Sequence, residues 1–418
     1  MSRTCLSAAL ASLALAGAAA PAAEPPREWV EPTGHRVVRL SDEPGSASLY
    51  FHQNGYTAGG DKLLFSKPEG LFTVDLKTRR IEKVVDGRVS HVVVGKKSRH
   101  VYYIEDGTVY ATDLDAKTTR AIVTRPELRT GSGLTVNADE TLLAGSLVEG
   151  APPSGSPSAS PTPRSAPAPG ASPAPAENPQ STAPPQESRL EARWAARLPM
   201  ALFTIAIATG EVKSIYRSTD WLNHVQFSPT DPGLLMYCHE GPWHKVDRIW
   251  TIRTDGSGRR LMHAREMDME IAGHEFWAPD GRTIWYDLQT PKGKEFWLAG
   301  VSLDGRQRTR YKVAREHWSV HFNISPDQAL FAGDGGGPRS VAAPGNGQWI
   351  YLFRPQGDRL EAERLVDLGQ HDYQLEPNVS FTPDGRWIVF RSNMHGPTQV
   401  YAAEVARSPK NRTSPRAG

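Results

Sequence analysis

Cysteine is almost missing from this chain, which holds only Cys5 and Cys238. Cys5 falls in an N-terminal stretch expected to be removed, so no intramolecular disulfide is available and Cys238 reads as a small buried hydrophobe. An excess of charge of one sign is missing too. Lys and Arg number 48 against 46 Asp and Glu, a net +2 that gives no footing for nucleic acid. Beyond the N-terminus no apolar run reaches the roughly 18 residues of a membrane span. Helical periodicity is nearly absent as well, which excludes bundle and α/β architectures.

What is present is an ordinary globular composition, 39% hydrophobic and 22% charged. Arg3 precedes the run "CLSAALASLALAGAAA", which ends in small residues and matches a secretory signal peptide over residues 1–23, with the mature chain starting near Glu24. Cys5 lacks the small and apolar residues before it that mark a lipoprotein cysteine. The expected location is periplasmic or secreted, and the expected assembly a monomer or weak homodimer.

A repeat runs along the rest. "GGDKLLFS", "GKKSRHVYYI", "NADETLLAGS", "SPTDPGLLMYC", "APDGRTIWYD", "SPDQALFAGD" and "TPDGRWIVFRS" each set a polar turn before a short β-rich run, and most are followed by a second run such as "LFTVDL" or "VYAAEV". Seven such units, each with room for four short strands, predict an all-β seven-bladed β-propeller over 24–408. Residues 151–188, rich in Pro, Ala and Ser, are expected to be a disordered insertion between blades, and 409–418 a disordered tail. "RLEARWAARLP" after the insertion predicts a short helix.

The stretch "MYCHEGPWHKVDRIW" carries more ionisable groups than a buried strand tolerates, so it is either a solvated loop or a site. A propeller gives it a geometry, because loops from successive inner strands crowd one channel mouth. His224, His274, His321 and the segment His371 to Asn378 all lie a few residues before a turn signal, at one level of consecutive blades. Such a ring of N and O donors suits a divalent metal, although inner-strand histidines also serve as hydrogen-bonding wall residues.

In "FSPTDPGLLMYCHEGPWHKVDRIWTIRTDG", "GHEFWAPDGRTIWYD", "HFNISPDQALFAGDGG" and "EPNVSFTPDGRWIVFRSNMHGPTQVYAAEV" the chain resembles the oligogalacturonate lyase family, seven-bladed propellers that act on pectin fragments. The likeness runs from about residue 30 to the last strand, omitting the insertion, and is most specific in "CHEGP" and "GHEFW". It implies β-elimination on uronate oligosaccharides with a divalent metal, typically manganese. It places the base on His239, puts His274 where the family has its first metal-ligand histidine, and matches His321 to a further channel histidine. The family's remaining ligands come from Gln-x-x-His-x-His, where this chain has Tyr373, Glu376 and Asn378; oxygen donors also serve manganese. The expected ion is Mn²⁺, with Ca²⁺ the alternative, held by His274, Glu376, Asn378 and His371. His224, His244, Lys245, Arg248 and His321 are the candidates for binding substrate carboxylates. A family arginine falls on Ala201, with Arg193 and Arg197 close by. The competing expectation is a non-catalytic propeller that binds glycans or acts as an interaction platform. A serine hydrolase is disfavoured, since no Gly-x-Ser-x-Gly elbow appears.

Overall fold

The computed structural model describes residues 24–150, 186–338, 340 and 347–408. Its strands form seven antiparallel blades around a central channel. The inner strands are, from blade 1 to blade 7, Ala47–Ser48, Ser90–Val94, Ser132–Val136, Trp221–Phe227, Ile271–Trp277, Phe322–Ile324 and Ser380–Phe381. Blades 5 and 6 touch at their outer edges through one parallel pairing, Lys312 with Arg359. The ring closes by exchange. His35–Arg39, from the beginning of the chain, adds to Gln399–Arg407 of blade 7, so each end of the chain supplies strands to one sheet. The expected signal peptide, the expected tail and residues 151–185 lie outside the described residues, and the low-complexity stretch ends earlier than expected, because the helix Gln186–Ala195 starts inside it.

The turn chemistry explains why the repeat shows in the sequence. In Ser325-Pro-Asp327 and Thr382-Pro-Asp384 the hydroxyl donates to the aspartate at 2.6 Å, and the same carboxylate oxygen accepts the backbone N–H of Ala329 at 3.1 Å and of Arg386 at 3.0 Å. Middle strands are buried on both faces by neighbouring blades, so they read as continuous apolar runs such as "ALFTIA". That strand pairs residue for residue with Leu142–Val148 of the same sheet, so the insertion expected between blades instead interrupts blade 3, between its second and third strands.

A second repeat serves function. Inner-strand pairing slips by a bulge between Ser90 and Val93, Ser132 and Thr135, Asn223 and Gln226, and Gly273 and Phe276. Inside those slips stand His91 (φ 53°), Gly133 (φ 69°), His224 (φ 46°) and His274 (φ 47°), with Asn378 (φ 56°) just before the inner strand of blade 7. A bulge re-aims a side chain out of the pleat, and left-handed backbone at a non-glycine is strain that a fold keeps where it is used. The histidines thereby leave the sheet faces and point to the channel.

Closure is the step on which the whole ring depends. Val37, 0% exposed, lies in the exchanged strand against Ala403, whereas Val30 in the outermost strand is 55% exposed. Val37→Asp should therefore lower the unfolding free energy by more than about 3 kcal/mol in urea titration, while Val30→Asp leaves it nearly unchanged.

Candidate active site

Two His-Glu pairs, in "CHEGP" and "GHEFW", sit on neighbouring blades and share one cation. Arg248 Nη1 donates to Glu240 Oε1 at 2.7 Å, and its Nε donates to Glu275 Oε2 at 2.8 Å. All three residues are buried. Burial alone raises both carboxyls, but the guanidinium, with His224 beside it, overrides this and holds Glu275 well below the usual carboxylate range and Glu240 below it. His224 stands over the clamp, Nδ1 3.2 Å from Glu275 Oε1 and 3.4 Å from Arg248 Nη2. The expectation that Arg248 binds substrate carboxylates is corrected: its donors are spent inside the protein, and its role is to seat His224.

Beside this clamp two further histidines are each oriented by a buried acid. His274 Nδ1 donates to Asp287 at 2.8 Å and His321 Nδ1 donates to Asp334 at 2.7 Å; their ring centroids lie 4.6 Å apart. Gly273 permits the first contact, because a Cβ there would stand 2.9 Å from Asp287 Oδ1. Burial works against a proton on His274, but the Asp287 carboxylate outweighs it and raises the pKa. Tyr50 donates its phenol to His321 Nε2 at 3.2 Å, and Glu376 Oε2 lies 3.7 Å from the same nitrogen. The turn Tyr50-Phe51-His52 of blade 1 fills the middle of the channel, its rings 4.8–5.6 Å from those of His224 and His321.

His239 occupies a separate wall. It lies on the second strand of blade 4, alternate to Cys238 and Glu240, with Nε2 buried, 3.4 Å from Asp220 Oδ1 and without a hydrogen bond. Burial lowers its pKa, with Asp220 opposing and Arg197 adding to the shift. The imidazole is therefore neutral at neutral pH. Arg197 reaches Asp220 at 3.0 Å, whereas Arg193 stacks over Trp221 and Ala201 is a core residue. Arg197 is thus the arginine brought next to His239.

Other expectations are corrected. His371 is no ligand, since Nε2 donates to the Leu375 carbonyl at 2.7 Å and Nδ1 accepts from Ser392 at 2.9 Å. Asn378 turns its amide to the backbone, Nδ2 donating to Glu376 O at 3.1 Å and Oδ1 facing Phe51 N at 3.4 Å, which makes it a wall residue. Lys245 and His244 face Glu191 of the helix, at 2.9 and 3.9 Å, and dock that helix in place of binding substrate. Tyr50, His52, Asp287 and Asp334 were not foreseen. The left-handed tolerance of His and the Gly in "GHEFW" were the available signals for Asp287; nothing local marked the others.

The mouth suits a divalent ion. His274 Nε2 and both Glu376 carboxylate oxygens have no hydrogen bond among the described residues, and His321 Nε2 adds a third donor shared with Tyr50. Carboxylate-oriented imidazoles are the usual support for metal ligands. Among the described residues the tight group is a different one, His224, Cys238 and Glu240, whose ligand atoms lie within 4.8 Å of one another. There Arg248 already supplies the cation, and burial pushes the Cys238 thiol well up.

Fold and site together define a seven-bladed propeller whose channel mouth presents oriented imidazoles and open oxygen donors, an arrangement for acidic ligands and a divalent cation. The family model for oligogalacturonate lyase matches residues 191–409. The chain belongs to that family. It is 26% identical over 406 residues to the oligogalacturonate lyase of Dickeya dadantii and 25% identical to the oligogalacturonide lyase of Pectobacterium atrosepticum, covering 90% of this chain and 95% of each relative. Two solved structures share the fold at 22% identity, covering 91% of this chain and 96% of each: an oligogalacturonate lyase in complex with manganese, TM-score 0.72, and one from Vibrio parahaemolyticus, TM-score 0.73.

Two outcomes follow from the geometry. Arg248→Ala strands two buried carboxylates and should destabilise the protein by about 3–5 kcal/mol in urea titration, with Arg248→Lys failing to restore it because an ammonium cannot hold both. Burial lowers the His91 pKa to about 4, whereas an unfolded histidine takes up its proton near 6.5. The stability His91 contributes is present above the unfolded value and lost as pH falls through the folded one, so His91→Asn, which keeps the left-handed backbone, should show a shallower fall in urea midpoint between pH 7 and 5 than the native chain.

Proposed function

We propose that this protein is a metal-dependent lyase that cleaves oligogalacturonides from pectin by β-elimination, releasing sugars with a C4–C5 double bond. The observation that carries this reading is the free donors of His274 and Glu376 at the channel mouth, together with a neutral His239 on its separate wall, in a chain related to such lyases over nearly its whole length.

The reaction removes the proton on C5 of a uronate residue and expels the oxygen on C4. His239 is the base in this scheme: its neutral imidazole takes the C5 proton, the C5–H electron pair forms the new double bond, and the C4–O4 bond breaks with O4 taking a proton from water. Asp220, 3.4 Å away, lies where it stabilises the imidazolium that results. Negative charge develops on the uronate carboxylate at the same time. A divalent ion supplies, when bound, positive charge against that carboxylate, and manganese fits a mixed imidazole and carboxylate set. His274, His321 and Glu376 are the residues that would hold it. His224, seated by Arg248, lines the path of the substrate. The N-terminal leader supports work outside the cytoplasm, where pectin fragments are met; among the described residues no helix is long and apolar enough to cross a membrane.

Ultraviolet absorbance of the new double bond tests this directly. Native protein loaded with manganese should turn over oligogalacturonides, and His239→Ala should lose roughly 10²–10⁴ fold in turnover while keeping its fold and its metal. His274→Ala should lose the ion by metal analysis. Binding of the oligomer with no absorbance gain in native protein would favour the non-catalytic propeller; full activity in His239→Ala would move the base elsewhere.

A further inference from the structure

The channel has a second chamber that the mouth does not use. Below the Tyr50-Phe51-His52 turn, toward the end where the inner strands finish, lies a cavity of about 220 Å³. Val93, Leu134, Val225 and Phe276 give it apolar walls, Gln53, Asn54, Gln226 and Asn323 add polar ones, and Lys96 is the one Lys on its lining. Lys96, partly buried just after the inner strand of blade 2, makes no ion pair or hydrogen bond among the described residues. No Asp, Glu or Arg lines the cavity.

An ammonium largely withdrawn from water and without a counter-charge is unfavourable unless an anion joins it or its proton leaves. Burial lowers the Lys96 pKa to about 8, so at neutral pH the group is still mostly charged. The volume is below the ~300–1,000 Å³ usual for drug-sized ligands, which excludes an oligosaccharide and leaves a monosaccharide or something smaller. We propose that this lower chamber is a binding site for one small carboxylate, paired with the Lys96 ammonium, distinct from the site at the mouth. The cavity and its charge carry this assignment. The lyase reading adds only the nomination of a monomeric uronate as a carboxylate at hand.

Isothermal titration of the native protein and of Lys96→Met with D-galacturonate, acetate, galactose and chloride tests it without turnover. Native protein should bind D-galacturonate with a component that Lys96→Met weakens about ten- to hundredfold, the loss of one charge-assisted contact, while galactose gives no such component. Lyase turnover by Lys96→Met should stay near native. Acetate acting as well as galacturonate keeps the carboxylate and removes the sugar from the assignment. Equal binding by native protein and Lys96→Met, or chloride matching the carboxylates, overturns it. Should Lys96→Met fold poorly, ¹³C-dimethylated native protein gives a second measurement, with the Lys96 resonance identified by its absence in Lys96→Arg. D-galacturonate should shift that resonance, and an unmoved signal overturns the proposal. Failure of the lyase reading would leave these binding results intact, so the two fail separately.

Discussion

The clamp of Arg248 between Glu240 and Glu275 is the interaction on which the rest of the channel rests. It joins the second strand of blade 4 to the inner strand of blade 5, in a region with no bulk water to screen its charges. Neither glutamate would remain ionised there alone, since burial pushes both carboxyls up and only the guanidinium brings them down. One planar donor fork satisfying two acids also fixes the angle between the blades. His224, His239 and His274 are each next to a member of that clamp in sequence or in space, so their positions derive from it. The "HE" shared by the two motifs has this physical meaning: the glutamates hold the frame, and the histidines face its openings.

A second constraint is the repeated bulge. Propeller symmetry alone would give a channel lined by whichever residues alternate inward. Slipping the pairing at the same level in blades 2 to 5, and putting left-handed backbone there, turns one residue per blade to the axis. The strain is carried by the exchange closure and the apolar blade interfaces, where residues such as Val37, Phe390 and Tyr401 are fully buried. Stability from the rim thus supports strain at the centre, and the Tyr50-Phe51-His52 turn divides the centre into an upper mouth and a lower chamber.

Acid partners set what the histidines can do. Asp287 and Asp334 fix the Nδ1 tautomer of His274 and His321 and free Nε2 for the channel, and Asp287 also raises the pKa of His274. His239 lacks such a hydrogen bond, and burial lowers its pKa instead. In the proposed mechanism, residues of one type in neighbouring blades thus divide into ion-holding and proton-accepting roles through their second neighbours.

The sequence by itself determined the blade count, the strand-turn-strand unit and the two motifs, because each depends on local chemistry: Asp, Pro and hydroxyl residues at turns, and continuous apolar runs where both faces are covered. It also determined that His224, His274, His321 and Asn378 share one level, since register in a repeat can be read from spacing to the turn. Tertiary structure alone decided which of them are open. Arg248 reads like an exposed substrate contact in a charged stretch, and is buried because acids from two blades converge on it. His371 and Asn378 are in register, yet Leu375, Ser392 and the backbone of Glu376 use their polar atoms. Tyr50, His52 and Asp334 carry no local mark, because what makes them part of the site is proximity that exists only once the ring has closed.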